Sequence, residues 1–240
     1  MDLTIVWESL PRLLGGAVLT LEITFLSLLA GLCLAVPVAV ARLSYRRILW
    51  MPAYGYMLYF RGTPLLVQLF LVYYGSGQFQ PLLDQAGVWF LFREAYFCAV
   101  LTLTLNTAAY TAEILRGAII AVPRGQIEAA RSLGMSGLLL YRRIILPKAF
   151  RLALPAYTNE AVFLLQATSL VSIITLLDLT GVARIIVARS FEPYKLYITV
   201  ALIYLAITYV VAVVARRAER RLSAHLRERP VQSITGASGR

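Results

Sequence analysis

Apolar residues run through this chain in long blocks rather than in alternation, and five of them reach the roughly 20 residues that a helix needs to cross a bilayer core. These blocks cover about residues 13–40, 54–75, 95–121, 155–177 and 195–215. Backbone groups in lipid must be satisfied within the segment, so the pattern predicts an all-α integral membrane protein with five transmembrane helices. Between the blocks lie four different kinds of segment. Residues 1–12, with Trp7 and Pro11, predict an outer interfacial segment, because Trp favours headgroup depth. Residues 76–94 carry the breakers Gly77 and Pro81, after Gly75, and predict an outer loop. Residues 122–154 form the longest hydrophilic stretch, and 178–194 predict an amphipathic or re-entrant helix. A charged and then Ser/Gly-rich tail closes the chain at 222–240, so 13–221 reads as a single domain. No internal repeat is visible, which counts against inverted-repeat transporters.

Composition supports this reading. Sixty per cent of the 240 residues are apolar and the mean hydropathy is +0.74, too greasy for a soluble domain of this length. The first apolar block is too long for a cleaved signal peptide and lacks a basic leader, so the mature chain is expected to begin at Met1.

Lys and Arg set the orientation, because cytoplasmic loops retain positive charge. With the N-terminus outside, the inner segments hold sixteen basic residues: Arg42, Arg46 and Arg47, six between Arg124 and Arg151, and seven in the tail. The outer segments hold five, Arg12, Arg93, Arg184, Arg189 and Lys195, with Arg61 and Arg116 inside spans. The bias predicts N-out, C-in. It also accounts for the net charge of +11 through membrane lipid at the inner leaflet, with no nucleic acid required.

Two cysteines, Cys33 and Cys98, both in apolar blocks, and one histidine, His225, supply neither a disulfide framework nor a metal cluster. No Gly-x-x-x-x-Gly-Lys-Ser/Thr loop is present to cradle ATP phosphates. The chain is therefore not expected to be an enzyme or to bind a cofactor, and an ATP-driven step would need a partner.

Polar residues inside spans are costly and require a reason. Asn106, Tyr110, Glu113 and Gly117 fall on one helical face, although Arg116 offers Glu113 a purely structural partner three residues on. Asn159 and Gln166 share a face in the fourth span, with Glu160 beside them and Thr168 and Ser169 a turn away. These residues predict a substrate pathway. Asp178 ends that span, where capping and gating are equally open. Arg61 is placed to snorkel toward the inner surface, and Pro64 predicts a kink.

In the inner loop, Glu128-Ala129-Ala130 is followed by Gly134 and by Ile144-Ile145-Leu146-Pro147. Small residues on a short helix let a partner's backbone approach, Glu128 offers a charge-assisted bond, and Gly134 ends the helix. This spacing resembles the EAA loop of importer-type ABC permeases, which docks on the ATP-hydrolysing subunit. The stretches Arg61-Gly62-Thr63-Pro64-Leu65-Leu66-Val67-Gln68, Leu105 to Glu113 and Tyr157-Thr158-Asn159-Glu160 resemble the polar amino acid permeases of bacterial ABC importers, as do Gly16, Thr20 and Thr24. The likeness runs from about residue 13 to 221. It extends to the basic amino acid systems, arginine and histidine/lysine/arginine/ornithine, in Tyr73-Tyr74-Gly75-x-Gly77-Gln78-Phe79 and Leu177 to Gly181.

The resemblance implies the type I ABC importer permease fold, multi-pass in the bacterial inner membrane. It implies as partners a P-loop ATPase dimer carrying ATP and Mg, a second permease subunit, identical or related, and an extracytoplasmic solute-binding protein. Coupling to the ATPase would fall to Glu128, Ala129, Ala130, Gly134, Ile144, Leu146 and Pro147. Many relatives have Lys where this chain has Gln166; an amide there removes repulsion against a cationic side chain and favours an arginine-like substrate. A proton-coupled transporter or channel using Glu113 or Glu160 needs no ATPase and stands as the alternative. A membrane anchor without transport would leave those carboxylates unexplained.

Overall fold

The computed structural model describes residues 4–222. Residues 1–3 and the tail beyond Leu222, including His225, Arg227, Arg229 and Arg240, lie outside the described residues. All regular structure among the described residues is helical, in α1 (Thr4–Arg42), α2 (Arg47–Gly62), α3 (Leu65–Ser76), α4 (Gln80–Gln85), α5 (Trp89–Phe92), α6 (Ala95–Ile120), α7 (Arg124–Ser132), α8 (Gly137–Leu140), α9 (Leu146–Ala167), α10 (Leu179–Ser190) and α11 (Pro193–Leu222), with short 3-10 and π turns between some of them. Among the described residues three helices are long and apolar enough to cross a membrane, namely α1, α6 and α11 as far as Glu219. A fourth is reached if Gly137–Ile174 and α10, bent by 48° at their junction, count as one span.

The predicted block 54–75 is not one helix. Thr63 and Pro64 are extended, with ψ of 148° and 132°, and separate α2 from α3. The residue before a proline is pushed out of the α region, and the proline has no N–H to donate. The expected kink is therefore a full break.

The segment expected as an outer loop folds into α4 and α5, with the left-handed turn at Gly87, φ +69°, between them. The segment 178–194 is largely the helix α10, whose Leu179 and Ala183 pack with Leu13, Ala17 and Val200. Residues 4–12 continue without interruption into α1.

The core is built around α1 and α6. Alpha-1 buries one stripe of mostly small residues, among them Gly16, Thr20, Thr24, Ser27, Gly31, Ala35 and Ala39, and α6 buries Ala99, Thr102, Ala108, Ala109 and Ala112. Small residues let helices approach closely where no hydrophobic force separates protein from lipid. Ile23, Leu69, Leu103, Leu164, Val171 and Ile174 fill the space between.

Gly16 and Thr20 have a specific task in this packing. A Cβ on Gly16 would lie 2.9 Å from the carbonyl carbon and oxygen of Asp178, and the Leu179 N–H donates to Thr20 Oγ1 at 3.2 Å. Alpha-1 thus holds the α9–α10 junction at backbone contact. Gly16→Val is expected to force the junction apart and lower stability by about 1–3 kcal/mol, the usual cost of overpacking. The thermal midpoint of the purified complex measures this, and an unchanged midpoint would show that the contact is not tight.

Candidate functional site

The break at Thr63–Pro64 frees backbone carbonyls, and the amides of Gln68 and Asn106 bond them. Gln68, 2% exposed, places Nε2 at 2.9 Å from Phe60 O, 3.1 Å from Thr63 O and 2.8 Å from Thr63 Oγ1. Its Oε1 accepts from Asn106 Nδ2 at 2.9 Å, and that amide also donates to Phe60 O at 3.0 Å. Gln68 and Asn106 therefore clamp the broken span to α6. Gln68 was not among the expected site residues, although a lone amide in an apolar run four residues after a proline is the signal that marks it.

Above this clamp, Asn106, Tyr110 and Glu160 line one cavity of about 380 Å³ with Phe163, Leu164 and Ala167. Three of the predicted pathway residues, from two distant stretches, meet here. Thr107 donates to Glu160 Oε1 at 2.9 Å and so orients the carboxylate. Among the described residues Glu160 has no Lys or Arg within ion-pair distance.

Glu113 differs. Its carboxylate takes both the Nε and an Nη of Arg116, a bidentate pair along one helix face, so the structural partner foreseen for it is the one it has. The other expected pathway residues are placed elsewhere. Asn159 and Gln166 are exposed on α9. Thr168 and Ser169 donate to Leu165 O and Gln166 O at 2.6 and 2.8 Å, at the start of the 3-10 turn that follows α9. Asp178, 0% exposed, caps α10 by accepting from Gly181 N at 2.9 Å and Thr180 N at 3.2 Å. Of its two possible roles the capping one is filled.

The hydrophilic stretch 122–154 folds as a helix and a turn on a second small core. Ala130, Val122, Leu140, Ile145 and Ala149 pack together there. Ala130 is only 4% exposed, so it faces this chain's own interior and not a partner. Glu128 and Ala129 are exposed, as are Leu146 and Pro147, while Ile144 is half-buried. Gly134 adopts φ +79° and completes a Schellman ending: its N–H reaches Arg131 O at 2.9 Å, and Met135 N–H reaches Ala130 O at 3.1 Å. The turn beyond presents Leu133 and Leu138, about four-fifths exposed.

Residues 10–224 match the family described as the binding-protein-dependent transport system inner membrane component. The chain belongs to this family. It is 50% identical over 229 residues to the nopaline transport system permease protein of Agrobacterium fabrum, covering 95% of both chains. It is 41% identical over 223 residues to the histidine/lysine/arginine/ornithine transport system permease protein of Escherichia coli K12, covering 93% of both. A crystal structure of an amino acid ABC transporter with histidines superimposes with a TM-score of 0.82 at 36% identity, covering 92% of this chain and 99% of that one.

The protein is thus a permease subunit of an ABC importer, a multi-pass protein of the bacterial inner membrane and not itself a catalyst. Membership implies an ATPase, a second permease subunit and a solute-binding protein as partners. Among the described residues no cluster of three or more His, Cys, Asp or Glu is placed to hold a metal, and ATP with its magnesium belongs to the ATPase.

Proposed function

We propose that this subunit passes a basic, arginine-like amino acid inward by ATP-driven alternating access. The observation that carries the reading is the Glu160 carboxylate, oriented by Thr107 and free of a cationic partner among the described residues, in a cavity with Asn106 and Tyr110. A half-buried carboxylate with no ion-pair partner is partly desolvated, and a guanidinium or ammonium group in the cavity would offset that cost. Glu113, neutralised by Arg116, has less to offer a cation. The names of the histidine/lysine/arginine/ornithine relatives point the same way.

Five crossings, N-out and C-in, follow if α2 and α3 together form one interrupted span, alongside α1, α6, α9 and α11. The charge bias of sixteen to five supports this orientation. Residues 13–221 then make one transmembrane unit, with 1–12 at the outer interface and 222–240 in the cytoplasm. Asn159 and Gln166 would border the pathway from the exposed side of α9, where a second permease subunit closes it, with half-buried Ser169 on its extension and Thr168, fully buried, supporting that turn from within. Exposed Glu128 and Ala129, with Gly134, Ile144, Leu146 and Pro147 shaping the turn and its return, would seat on the ATPase. Ala130 would support that helix from within. ATP binding favours one of two arrangements of the spans and hydrolysis returns the other.

Uptake of labelled arginine into vesicles holding the whole transporter tests the reading. Uptake should need ATP inside and the binding protein outside. Uptake that follows a proton gradient without ATP would establish the secondary-transport alternative. In the same assay Gln166→Lys is expected to reduce arginine uptake severalfold through like-charge repulsion; unchanged uptake would remove residue 166 from specificity.

A further inference from the structure

A second cavity, of about 390 Å³, lies between the end of α1, α2 and α6 and has the opposite electrostatic character. Arg42, Tyr54, Met57, Arg61, Gly62 and Glu113 line it. Its construction follows from helix geometry. Trp50, Tyr54, Leu58 and Arg61 recur at spacings of four, four and three and so share one face of α2. Arg42, the last residue of α1, lies over the stacked rings of Trp50 and Tyr54 at 5.1 and 4.9 Å. Arg61, at the end of α2, lies over the ring of Tyr110 at 5.3 Å.

The charges here do not balance. Glu113 is the one carboxylate lining the cavity, and Arg116 already holds both of its oxygens. Among the described residues neither Arg42 nor Arg61 has a carboxylate within 4.0 Å. Arg42 Nε is buried and makes no hydrogen bond. Aromatic faces hold a guanidinium by its plane but leave its N–H fork unused. A buried donor without an acceptor is destabilising and calls for an explanation.

We propose that this cavity is an anion site for a phosphate group, held between the Arg42 and Arg61 guanidinium forks. Two guanidinium groups match the geometry of a phosphate, which accepts paired N–H bonds from each. The surroundings fit an anionic phospholipid headgroup as the source. Trp and Tyr favour the headgroup layer, as Trp50 and Tyr54 would here, and α2 also exposes Ile48 and Met51 by 80% and 58%, a surface on which acyl chains can lie. The site is separate from the cavity of Glu160. Tyr110 stands between them, lining that cavity while its ring carries Arg61.

The test uses the full transporter, permease pair with its ATPase, purified in mild detergent. Its thermal midpoint is titrated with phosphatidylglycerol, with phosphatidylcholine and with inorganic phosphate. The wild type should be stabilised by phosphatidylglycerol and not by phosphatidylcholine, with roughly ten-fold weaker apparent binding in Arg42→Gln or Arg61→Gln, as expected for a lost charge-assisted bond. Arg42→Lys, which keeps the charge over the rings but not the fork, should be intermediate, and it carries the test should the glutamine variants fail to assemble. Arg46→Gln, an exposed arginine of the same connection that does not line the cavity, should match the wild type. Stabilisation by inorganic phosphate with the same arginine dependence supports the site and makes its occupant the free ion. Equal loss in Arg46→Gln, or no difference between the wild type and the Arg42 and Arg61 variants with either probe, would overturn the proposal.

Discussion

Glu128→Lys is expected to leave a permease that folds and inserts normally but no longer retains its ATPase or couples ATP use to uptake. Folding should survive because Glu128 is exposed, and the adjoining small core is filled by Ala130, Ile145 and Ala149. Docking should fail because reversing a charge in an interface both removes a charge-assisted bond and adds repulsion, an effect of about 2–5 kcal/mol where the pair is enclosed. That is a loss of roughly thirty-fold or more in affinity. Gly134→Asp should act by a different route. The position sits at φ +79° and ends α7; Asp tolerates this conformation better than most side chains, so the strain stays below the roughly 1–2 kcal/mol of an ordinary residue, and the added charge in the turn supplies the rest of the effect. ATPase retained on the affinity-purified permease, and ATP hydrolysed per amino acid imported, are the two readouts. Normal retention and normal coupling in both variants would sever the link between this turn and the ATPase.

Glu160→Gln is expected to weaken transport of a cationic amino acid more than any other single isosteric change in the bundle. The amide oxygen still accepts from Thr107, so the side chain keeps its place while losing its charge. A charged hydrogen bond contributes about 1.5–3 kcal/mol, which corresponds to roughly ten- to hundred-fold in the half-saturating concentration. Glu113→Gln should behave otherwise. It leaves Arg116 without its partner inside a span, so it should lower the thermal midpoint before it alters affinity. Arginine uptake with an unaltered half-saturating concentration in Glu160→Gln would show that the cavity does not hold the cation.

These variants also separate what the residue pattern conveys from what it does not. Periodicity placed Asn106 and Tyr110 on one face of α6, and they do line one cavity. Their meeting with Glu160, fifty or more residues away, depends on how α6 and α9 cross, which no local pattern encodes. The same residue type had two meanings. Glu113 found its partner one turn along its own helix, as spacing allowed, whereas Glu160 found a threonine on another helix. Ala130 illustrates the limit from the other side: its small size is compatible with a partner's approach and with internal packing, and burial against Ile145 gives it the second.

Apolar length was sufficient on its own to establish a helical membrane protein, because bilayer thickness and backbone hydrogen bonding leave few other solutions, while the lack of a phosphate-binding loop said only that an ATP-driven step would need a partner. The resemblance of its motifs added the family. Tertiary structure alone decided that Gln68 and Asn106 together close the break that Pro64 leaves in the backbone, that Gly16 and Thr20 of α1 hold the backbone beside the Asp178 cap, and that Arg42 and Arg61 share a cavity. Each of these depends on groups far apart in the chain coming within about 3 to 5 Å, and such proximity is set by the packing of whole helices rather than by the preferences of any one segment.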